Sequence, residues 1–224
     1  TNPSPYMVFL QKDDIQVIST SPETLVRLQN GKLTTLPIAG SRPRGKDTDE
    51  DMALEKELLE DEKELAEHNM LVDLARNDLG RISEYSSIKV TSYKKIQKYS
   101  RIMHITSEVE GRIREGLDAF DAVEAILPAG TLSGAPKFRA CEIIEELEKE
   151  PRGIYGGAIG YVDYTGNMDV CIAIRMAVRK NDRVYIQAGA GIVADSNPEK
   201  EYEESGNKAR AVMEAIISAG EVNE

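Results

Sequence analysis

The strongest constraint on the fold is a tight turn near the start of the chain. In "TLVRLQNGKLTTL", residues 24–36, the pair Asn30-Gly31 stands between two runs in which apolar and polar residues alternate. Asn-Gly suits the type I′ turn that joins two antiparallel strands. Residues 7–10 and 15–19 alternate in the same way around the turn "KDD". The sequence therefore predicts antiparallel hairpins from the outset.

Helical patterns follow these hairpins without alternating strictly with strands. One long helix is predicted from the N-cap candidates at residues 47–49 to about residue 79, and a short one ends at Pro128. Strands are predicted within 88–110, 157–164, 168–180 and 183–194, and helices at about 135–150 and 198–219. This mixture predicts the α+β class, with residues 1–224 in a single domain.

Composition narrows the range of partners. The net charge of −11 argues against nonspecific binding of nucleic acid and against an anionic membrane surface. No apolar run approaches membrane-spanning length, and no signal-peptide pattern opens the sequence. Cys141 and Cys171 lack metal-type spacing and are predicted to be buried thiols in a reducing compartment. We therefore expect a cytoplasmic protein that binds neither nucleic acid nor membrane.

Two predicted helices carry paired carboxylates. Glu64 and Glu67 lie three residues apart in "DEKELAEH", and Glu201 and Glu204 lie three apart in "PEKEYEES", so each pair shares one helix face. Solvated acidic faces would explain both pairs. If the four converge, however, each pair about 6 Å apart repels by roughly 3 kcal/mol at an effective dielectric constant of ~20. Convergence therefore requires a cation or raised pKa values.

The chemistry of the cluster favours magnesium as that cation. The donors are all oxygen atoms, which suits Mg²⁺ better than zinc. Mg²⁺ keeps several of its waters, so two glutamates can bind it directly and two can hold waters. A di-iron bundle would need Glu-x-x-His, but Leu65 occupies the position three before His68.

Several other residues are candidates for binding an anion. Gly189, Ala190 and Gly191 follow a predicted strand, where they form either a tight corner or a surface of exposed N–H groups. Arg175 lies in the apolar run "CIAIRMAV", so it either points to solvent or binds a carboxylate through two hydrogen bonds. Tyr155 is positioned in the sequence to add a hydroxyl group to the same anion.

Two further residues are candidates for the chemistry itself. Thr131 lies in the small-residue loop "LPAGTLSGAPK", which either packs tightly or lines a pocket. His104 lies in a strand-like run, as a satisfied structural histidine or as a general acid or base. Together the candidates indicate a metal-dependent site for a small polyanion such as a dicarboxylate.

The motifs resemble a known enzyme family. The segments "SPETLVR", "PIAGSRPRG", "DEKELAEHNMLVDLARNDLGR", "YSRIMHITSEVEG", "LPAGTLSGAPKFRA", "YGGAIGY", "IAIR", "QAGAGIVADS" and "NKARAVMEAI" are similar to anthranilate synthase component I, of the chorismate-utilising superfamily. The likeness runs from about Ser21 to Ile216. It implies large antiparallel sheets packed as a sandwich with helices outside, and a chorismate-binding catalytic domain.

The resemblance also implies a role for each candidate residue. Glu67 and Glu204 would bind Mg²⁺ directly and Glu64 and Glu201 through water. The substrate would be chorismate, in contact with the following residues: Thr131, Tyr155, Arg175, Gly189, Ala190, Gly191 and Lys208. Glu23 would be the general acid that protonates the departing C4 hydroxyl, and His104 would assist pyruvate elimination and aromatisation.

The implied activity is a lyase reaction, the first committed step of tryptophan biosynthesis. Ammonia would come from a glutamine amidotransferase subunit, so a hetero-oligomer is expected when the protein is full length. Members of the family are roughly twice this length, and the abrupt start without an initiator methionine leads us to expect the C-terminal part of a longer chain.

Two other functions stay open at this point. Many aminodeoxychorismate synthases carry a nucleophilic lysine where this sequence has Ala39, which favours anthranilate, although some of those enzymes also have alanine there. A noncatalytic fragment that keeps the pocket is the third possibility. The product formed from chorismate distinguishes the first two functions, and turnover distinguishes both from the third.

Overall fold

The computed structural model describes residues 4–194 and 196–221. The helices and strands, in chain order, are β1 Tyr6–Lys12, β2 Ile15–Ser21, β3 Thr24–Gln29, β4 Lys32–Thr35, β5 Ile38–Pro43, α1 Thr48–Glu60, α2 Glu62–Gly80, β6 Lys89–Lys98, β7 Ile102–Arg112, α3 Ala119–Ile126, α4 Gly130–Ser133, α5 Lys137–Leu147, β8 Ala158–Val162, β9 Met168–Ile172, β10 Met176–Lys180, β11 Arg183–Ile186 and α6 Pro198–Glu221. Both predicted N-terminal hairpins are confirmed, as β1–β2 and β3–β4.

The strands form two antiparallel sheets. The smaller sheet has the order β1-β2-β10-β11, and the larger has the order β5-β7-β4-β3-β9-β8, with β6 also paired to β7. Val17 and Met176 of the smaller sheet pack against Ile159 and Cys171 of the larger sheet. Because side chains alternate along a strand, the neighbouring residues of the larger sheet point the other way. This arrangement confirms the predicted α+β class and the packing of sheet on sheet.

Helices cover the second face of the larger sheet. Val26 of β3 and Val170 of β9 belong to the same buried cluster as Leu79 of α2 and Ala122 of α3. The sheet therefore lies between the smaller sheet and the helices. This packing fixes the N-terminal half of α2 beside β5, where its acidic residues reach the site described below.

The single helix predicted from about residue 47 to 79 is in fact two helices. Asp61 ends α1 and begins α2 with an extended conformation, φ −76° and ψ 105°. Its side chain accepts a hydrogen bond from the Glu64 backbone N–H at 3.1 Å and from Arg42 Nη2 at 2.8 Å. An aspartate that caps a new helix competes with continuation of the old one.

The strand predicted over 168–180 is also divided. β9 belongs to the larger sheet and β10 to the smaller one, and residues 173–175 carry the chain between them. Arg175 has φ +49°, a left-handed conformation that interrupts the regular alternation of a strand. The prediction that 183–194 forms a strand is wrong beyond Ile186, because the following residues are irregular.

Two smaller predictions can also be compared with the structure. Cys171 is buried as expected, whereas Cys141 on α5 is only half-buried. Among the described residues, no helix combines the length and apolar character needed to cross a membrane.

Candidate active site

One cavity of about 920 Å³ collects every residue predicted to have a functional role. It opens between α2, α6, the bend at Arg175 and the edge of the larger sheet. The predicted residues in its lining are Glu23, Glu64, Glu67, His104, Thr131, Tyr155, Arg175, Gly189, Ala190, Gly191, Glu201, Glu204 and Lys208. Residues up to 185 positions apart in the sequence thus share one site, a convergence that helix periodicity alone could not predict.

The two acidic pairs face the same part of this cavity. Burial raises the pKa of Glu67, and the charges of Glu204 and Glu201 on α6 raise it further, against the opposing effect of Lys63. Burial and the charge of Glu67 likewise raise the pKa of Glu64. Fully solvated acidic faces therefore do not describe Glu64, Glu67 and Glu201, which are partly or largely buried, whereas the Glu204 side chain is about half exposed.

Two lysines offset part of this negative charge. Lys208 Nζ lies 2.7 Å from Glu204 Oε1 and donates a hydrogen bond to the Gly189 carbonyl oxygen at 3.1 Å. Lys63 Nζ lies 3.4 Å from Glu201 Oε1. The sequence analysis missed Lys63, although a lone lysine within the acidic run "DEKELAEH" was a visible signal.

The donor set of this cluster fits a hard cation. Its side-chain donors are carboxylate oxygens, the ligands that Mg²⁺ prefers. Within residues 4–194 and 196–221, no three acidic, histidine or cysteine side chains stand close enough to hold an ion alone. A Cβ at Gly191 would lie only 3.3 Å from Glu67 Oε1, so glycine keeps this carboxylate accessible.

Another part of the same cavity suits an anion. Arg175 is half-buried, and among the described residues its guanidinium has neither a hydrogen bond nor an ion pair. Burial lowers the pKa of Arg175, so the charge is held there at a cost in solvation. A Cβ at Gly189 would lie 3.4 Å from the Tyr155 hydroxyl, so the Gly189 backbone is close to Tyr155. The same part of the cavity is lined by Arg175.

Glu23 is a buried carboxyl group whose side chain accepts one hydrogen bond from the residues that the structure describes. The residue is only 8% exposed, and Thr131 Oγ1 donates a hydrogen bond of 2.6 Å to its Oε1. Burial raises the pKa of Glu23 to about 7, while the Thr131 hydrogen bond and the charge of Lys208 oppose the rise. A substantial fraction of Glu23 therefore carries a proton near neutral pH, as a general acid must.

His104 is held by the strand that pairs with its own. Its Nδ1 lies 3.2 Å from the Gly40 carbonyl oxygen and 2.8 Å from Ser41 Oγ on β5. Since a carbonyl oxygen only accepts hydrogen bonds, Nδ1 carries the proton and Nε2 keeps a lone pair. Burial lowers the pKa of His104, and the charge of Arg175 lowers it further, so the neutral ring is favoured. Nothing in the sequence indicated Ser41 as the partner of His104.

Comparison with known proteins identifies the family. The sequence profile described as "chorismate binding enzyme" matches residues 1–214. The chain belongs to the chorismate binding enzyme family. This finding confirms the resemblance inferred from the motifs.

Relatives of this chorismate-binding chain include two named proteins of similar sequence. Anthranilate synthase component 1 of Aquifex aeolicus is 58% identical over 223 residues, covering 100% of this chain and 45% of that protein. Anthranilate synthase component 1 of Acetivibrio thermocellus is 58% identical over 221 residues, covering 99% of this chain and 45% of that protein. The chain thus spans slightly less than half the length of these relatives.

Solved structures of chorismate-utilising enzymes share the fold. Anthranilate synthase component I from Streptococcus pneumoniae superposes with a TM-score of 0.87 at 54% identity, covering 94% of this chain and 46% of that one. The menaquinone-specific isochorismate synthase from Escherichia coli superposes with a TM-score of 0.80 at 24% identity, covering 90% and 46% respectively. The second likeness demonstrates the fold alone.

Proposed function

We propose that this chain carries the catalytic cavity of an anthranilate synthase component I. The reaction is chorismate plus ammonia to anthranilate, pyruvate and water. The observation that carries the proposal is the convergence in one cavity of two acidic helices, a buried carboxyl group with a raised pKa, and an arginine that has no hydrogen bond or ion pair among the described residues. The identity of 58% to two anthranilate synthase components supports the choice of reaction.

Chorismate carries two carboxylates, and the cavity offers a binding region for each. Glu67 and Glu204 would hold Mg²⁺, with Glu64 and Glu201 binding its waters, and the ion would neutralise the ring carboxylate. Arg175 would bind the enolpyruvyl carboxylate, helped by the Tyr155 hydroxyl and by the backbone of residues 189–191. Two charged regions at fixed positions orient the ring for attack.

Amination requires a proton for the leaving group. As ammonia forms a bond to C2, the C4–O bond breaks and the hydroxyl leaves as water. Glu23 supplies the proton, because burial keeps it partly protonated at neutral pH. Oε1 accepts the Thr131 hydrogen bond, so Oε2 is the oxygen that carries the transferable proton.

Aromatisation requires loss of the C2 proton together with pyruvate. His104 is the neutral base in this scheme, because Nδ1 donates to the Gly40 carbonyl and Nε2 is free to accept a proton. The enolpyruvyl C–O bond breaks as the ring becomes aromatic. Lys208 would hold Glu204 of the metal region and the Gly189 backbone of the enolpyruvyl region in place together.

The source of ammonia in this proposal is a glutamine amidotransferase subunit. The whole protein would then act as a hetero-oligomer in the cytoplasm. Ammonium salts can replace the partner in a test, because free ammonia is the nucleophile that the reaction consumes.

Aminodeoxychorismate formation is the nearest alternative reaction. Ala39 lines the cavity beside Gly40, and its methyl side chain offers no nucleophile for a covalent route. We therefore favour anthranilate as the product.

The test is to incubate the protein with chorismate, Mg²⁺ and ammonium chloride and to separate the products by chromatography. Anthranilate, and its loss in Glu67→Gln, is the expected result. Aminodeoxychorismate would assign the alternative activity. The same assay is repeated with the other half of a related anthranilate synthase component added, because this chain spans slightly less than half of such a protein. If the folded protein still consumes no chorismate, only a binding role is left.

A further inference from the structure

Two cations hold the loop that carries Thr131: Arg152 Nη1 donates a hydrogen bond of 2.7 Å to the Leu132 carbonyl oxygen within it, and a single ammonium group joins its two ends. Lys137 Nζ donates hydrogen bonds to both carboxylate oxygens of Asp78, at 2.9 and 2.8 Å, and to the Ile126 carbonyl oxygen at 2.9 Å. Ile126 ends α3 just before the loop, and Lys137 begins α5 just after it. One cation therefore joins both ends of the loop to the end of α2.

This ion pair is well shielded from water. The Lys137 and Asp78 side chains are 16% and 11% exposed, in contrast to the solvated ion pairs on the outer surface of α5. Burial raises the pKa of Asp78, and Lys137 opposes the rise. A shielded pair with three hydrogen bonds holds its geometry far better than an exposed one.

The loop needs such an anchor because its own structure is weak. α4 is a single turn of four residues without a side-chain cap, and one isolated turn is not stable by itself. Ala129 is buried and Leu132 packs on the core, but apolar contacts do not fix the direction of a hydroxyl group. A small cavity of about 40 Å³, lined by Thr131, Glu23 and Asp78, leaves room for the loop to shift.

We propose that Lys137 and Asp78 form a clamp that holds Thr131 against Glu23, and that both are positioning residues for the acid of the proposed function. The proposal rests on that function for its catalytic meaning. The clamp itself concerns the unliganded protein, where it sets the 2.6 Å contact between Thr131 Oγ1 and Glu23 Oε1.

The clamp acts through the loop rather than through its charge. Lys208 of α6 is the cation that lowers the pKa of Glu23. Asp78 of α2 faces Glu23 across the small cavity, and His104 and Arg175 face it across the large one. Replacing both clamp residues by neutral ones removes one positive and one negative charge, so the local net charge does not change.

The experiment measures the Glu23 titration in protein labelled with ¹³C at glutamate carboxyl groups. The signal absent from Glu23→Gln identifies the residue. In Lys137→Met/Asp78→Asn the pKa of Glu23 is expected to rise by about 1, because the hydrogen bond that stabilises its charged form is lost. Thr131→Val should produce a rise of at least that size.

A double-mutant cycle provides the decisive comparison. Added to Thr131→Val, the clamp substitutions should cause no further rise in the pKa of Glu23, because the bond through which they act is already absent. An unchanged pKa in Lys137→Met/Asp78→Asn, or an equal rise in the Thr131→Val background, would overturn the proposal. If the double variant does not fold, Lys137→Gln/Asp78→Asn keeps polar side chains at both positions and the same local net charge, and it should show a smaller rise with the same dependence on Thr131.

These titrations do not depend on turnover. If the protein forms no anthranilate but the Glu23 pKa values follow the predicted double-mutant cycle, the clamp is supported and only the proposed function is refuted. If the protein forms anthranilate but the clamp substitutions do not change the pKa of Glu23, the proposed function is supported and the clamp is refuted.

Discussion

Replacing Glu23 by glutamine should make the protein more stable and inactive. The folded state holds the Glu23 proton until about pH 7, whereas the unfolded chain releases it near 4.5. Between these values the folded state binds more protons, so its stability falls as pH rises. The difference of about 2.5 in pKa corresponds to roughly 3 kcal/mol at pH 8 and above. Glutamine has the same shape and no charge, so it avoids this cost.

The assay is urea denaturation of wild type and Glu23→Gln from pH 4 to pH 8.5. The two free energies of unfolding should be similar near pH 4 and should diverge above pH 4.5. By pH 8 the variant should be more stable by up to about 3 kcal/mol, a figure that already includes the opposing effects of the Thr131 hydrogen bond and of Lys208 on the carboxylate. Turnover should be lost at every pH, because the amide cannot donate the required proton.

Glu145→Gln is the matched control. Glu145 is exposed on α5, and among the described residues it has no hydrogen bond or ion pair. Its replacement should change neither the pH dependence of stability nor turnover. If Glu23→Gln and wild type differ by a constant amount across the pH range, Glu23 does not hold its proton as the structure indicates, and its assignment as the acid fails.

Three further outcomes follow from the cavity. Arg175→Met should weaken chorismate binding roughly tenfold or more in a calorimetric titration, because it removes a charged hydrogen-bond donor. The control Arg179→Met, on the outer surface, should leave the affinity unchanged. If both variants bind chorismate with equal affinity, Arg175 does not belong to the anion site. Glu67→Gln should abolish the effect of Mg²⁺ on chorismate binding. The control Glu203→Gln, at an exposed position of α6, should leave that effect intact. If Mg²⁺ still strengthens chorismate binding in Glu67→Gln, Glu67 is not a metal ligand. Gly191→Ala should lower Mg²⁺ affinity with little change in thermal stability, because the added Cβ would lie only 3.3 Å from Glu67 Oε1 and would displace it. Unaltered Mg²⁺ affinity would refute this reasoning.

The hairpins and the amphipathic helices were predictable because each signal is local. Asn30-Gly31 fixes a turn by its own conformational preference, and it joins β3 to β4 as predicted. The breaks were not predictable in the same way. Asp61 reads as one more acidic residue in a helical run, and its role as a cap depends partly on Arg42, 19 positions earlier in the chain.

The bend at Arg175 shows the same limit more clearly. The apolar run on both sides of it is typical of one buried strand, and nothing local indicates that its halves belong to different sheets. The left-handed conformation of Arg175 results from the crossover between the sheets. This crossover also removes Arg175 from the regular alternation of a strand and directs the chain toward the cavity.

For the site, residue types and spacing predicted the two Glu pairs and the anion-binding candidates such as Arg175, and the resemblance to the family added Glu23 and Lys208, but neither predicted the contacts among them. The two Glu pairs indicated a cation only on the assumption that α2 and α6 meet, which the cavity supports. The tie between Lys63 and Glu201, the tautomer of His104 and the anchoring of Thr131 by Lys137 all depend on tertiary packing. Such contacts join distant parts of the chain and leave no periodic signal.

A calorimetric titration of chorismate with and without Mg²⁺ tests the central claim most directly, because it measures whether the acidic helices and the arginine side act on one ligand. The account predicts that Mg²⁺ strengthens binding at least tenfold and that Glu204→Gln removes this gain. Equal affinity with and without Mg²⁺, or a gain that survives Glu204→Gln, would contradict it.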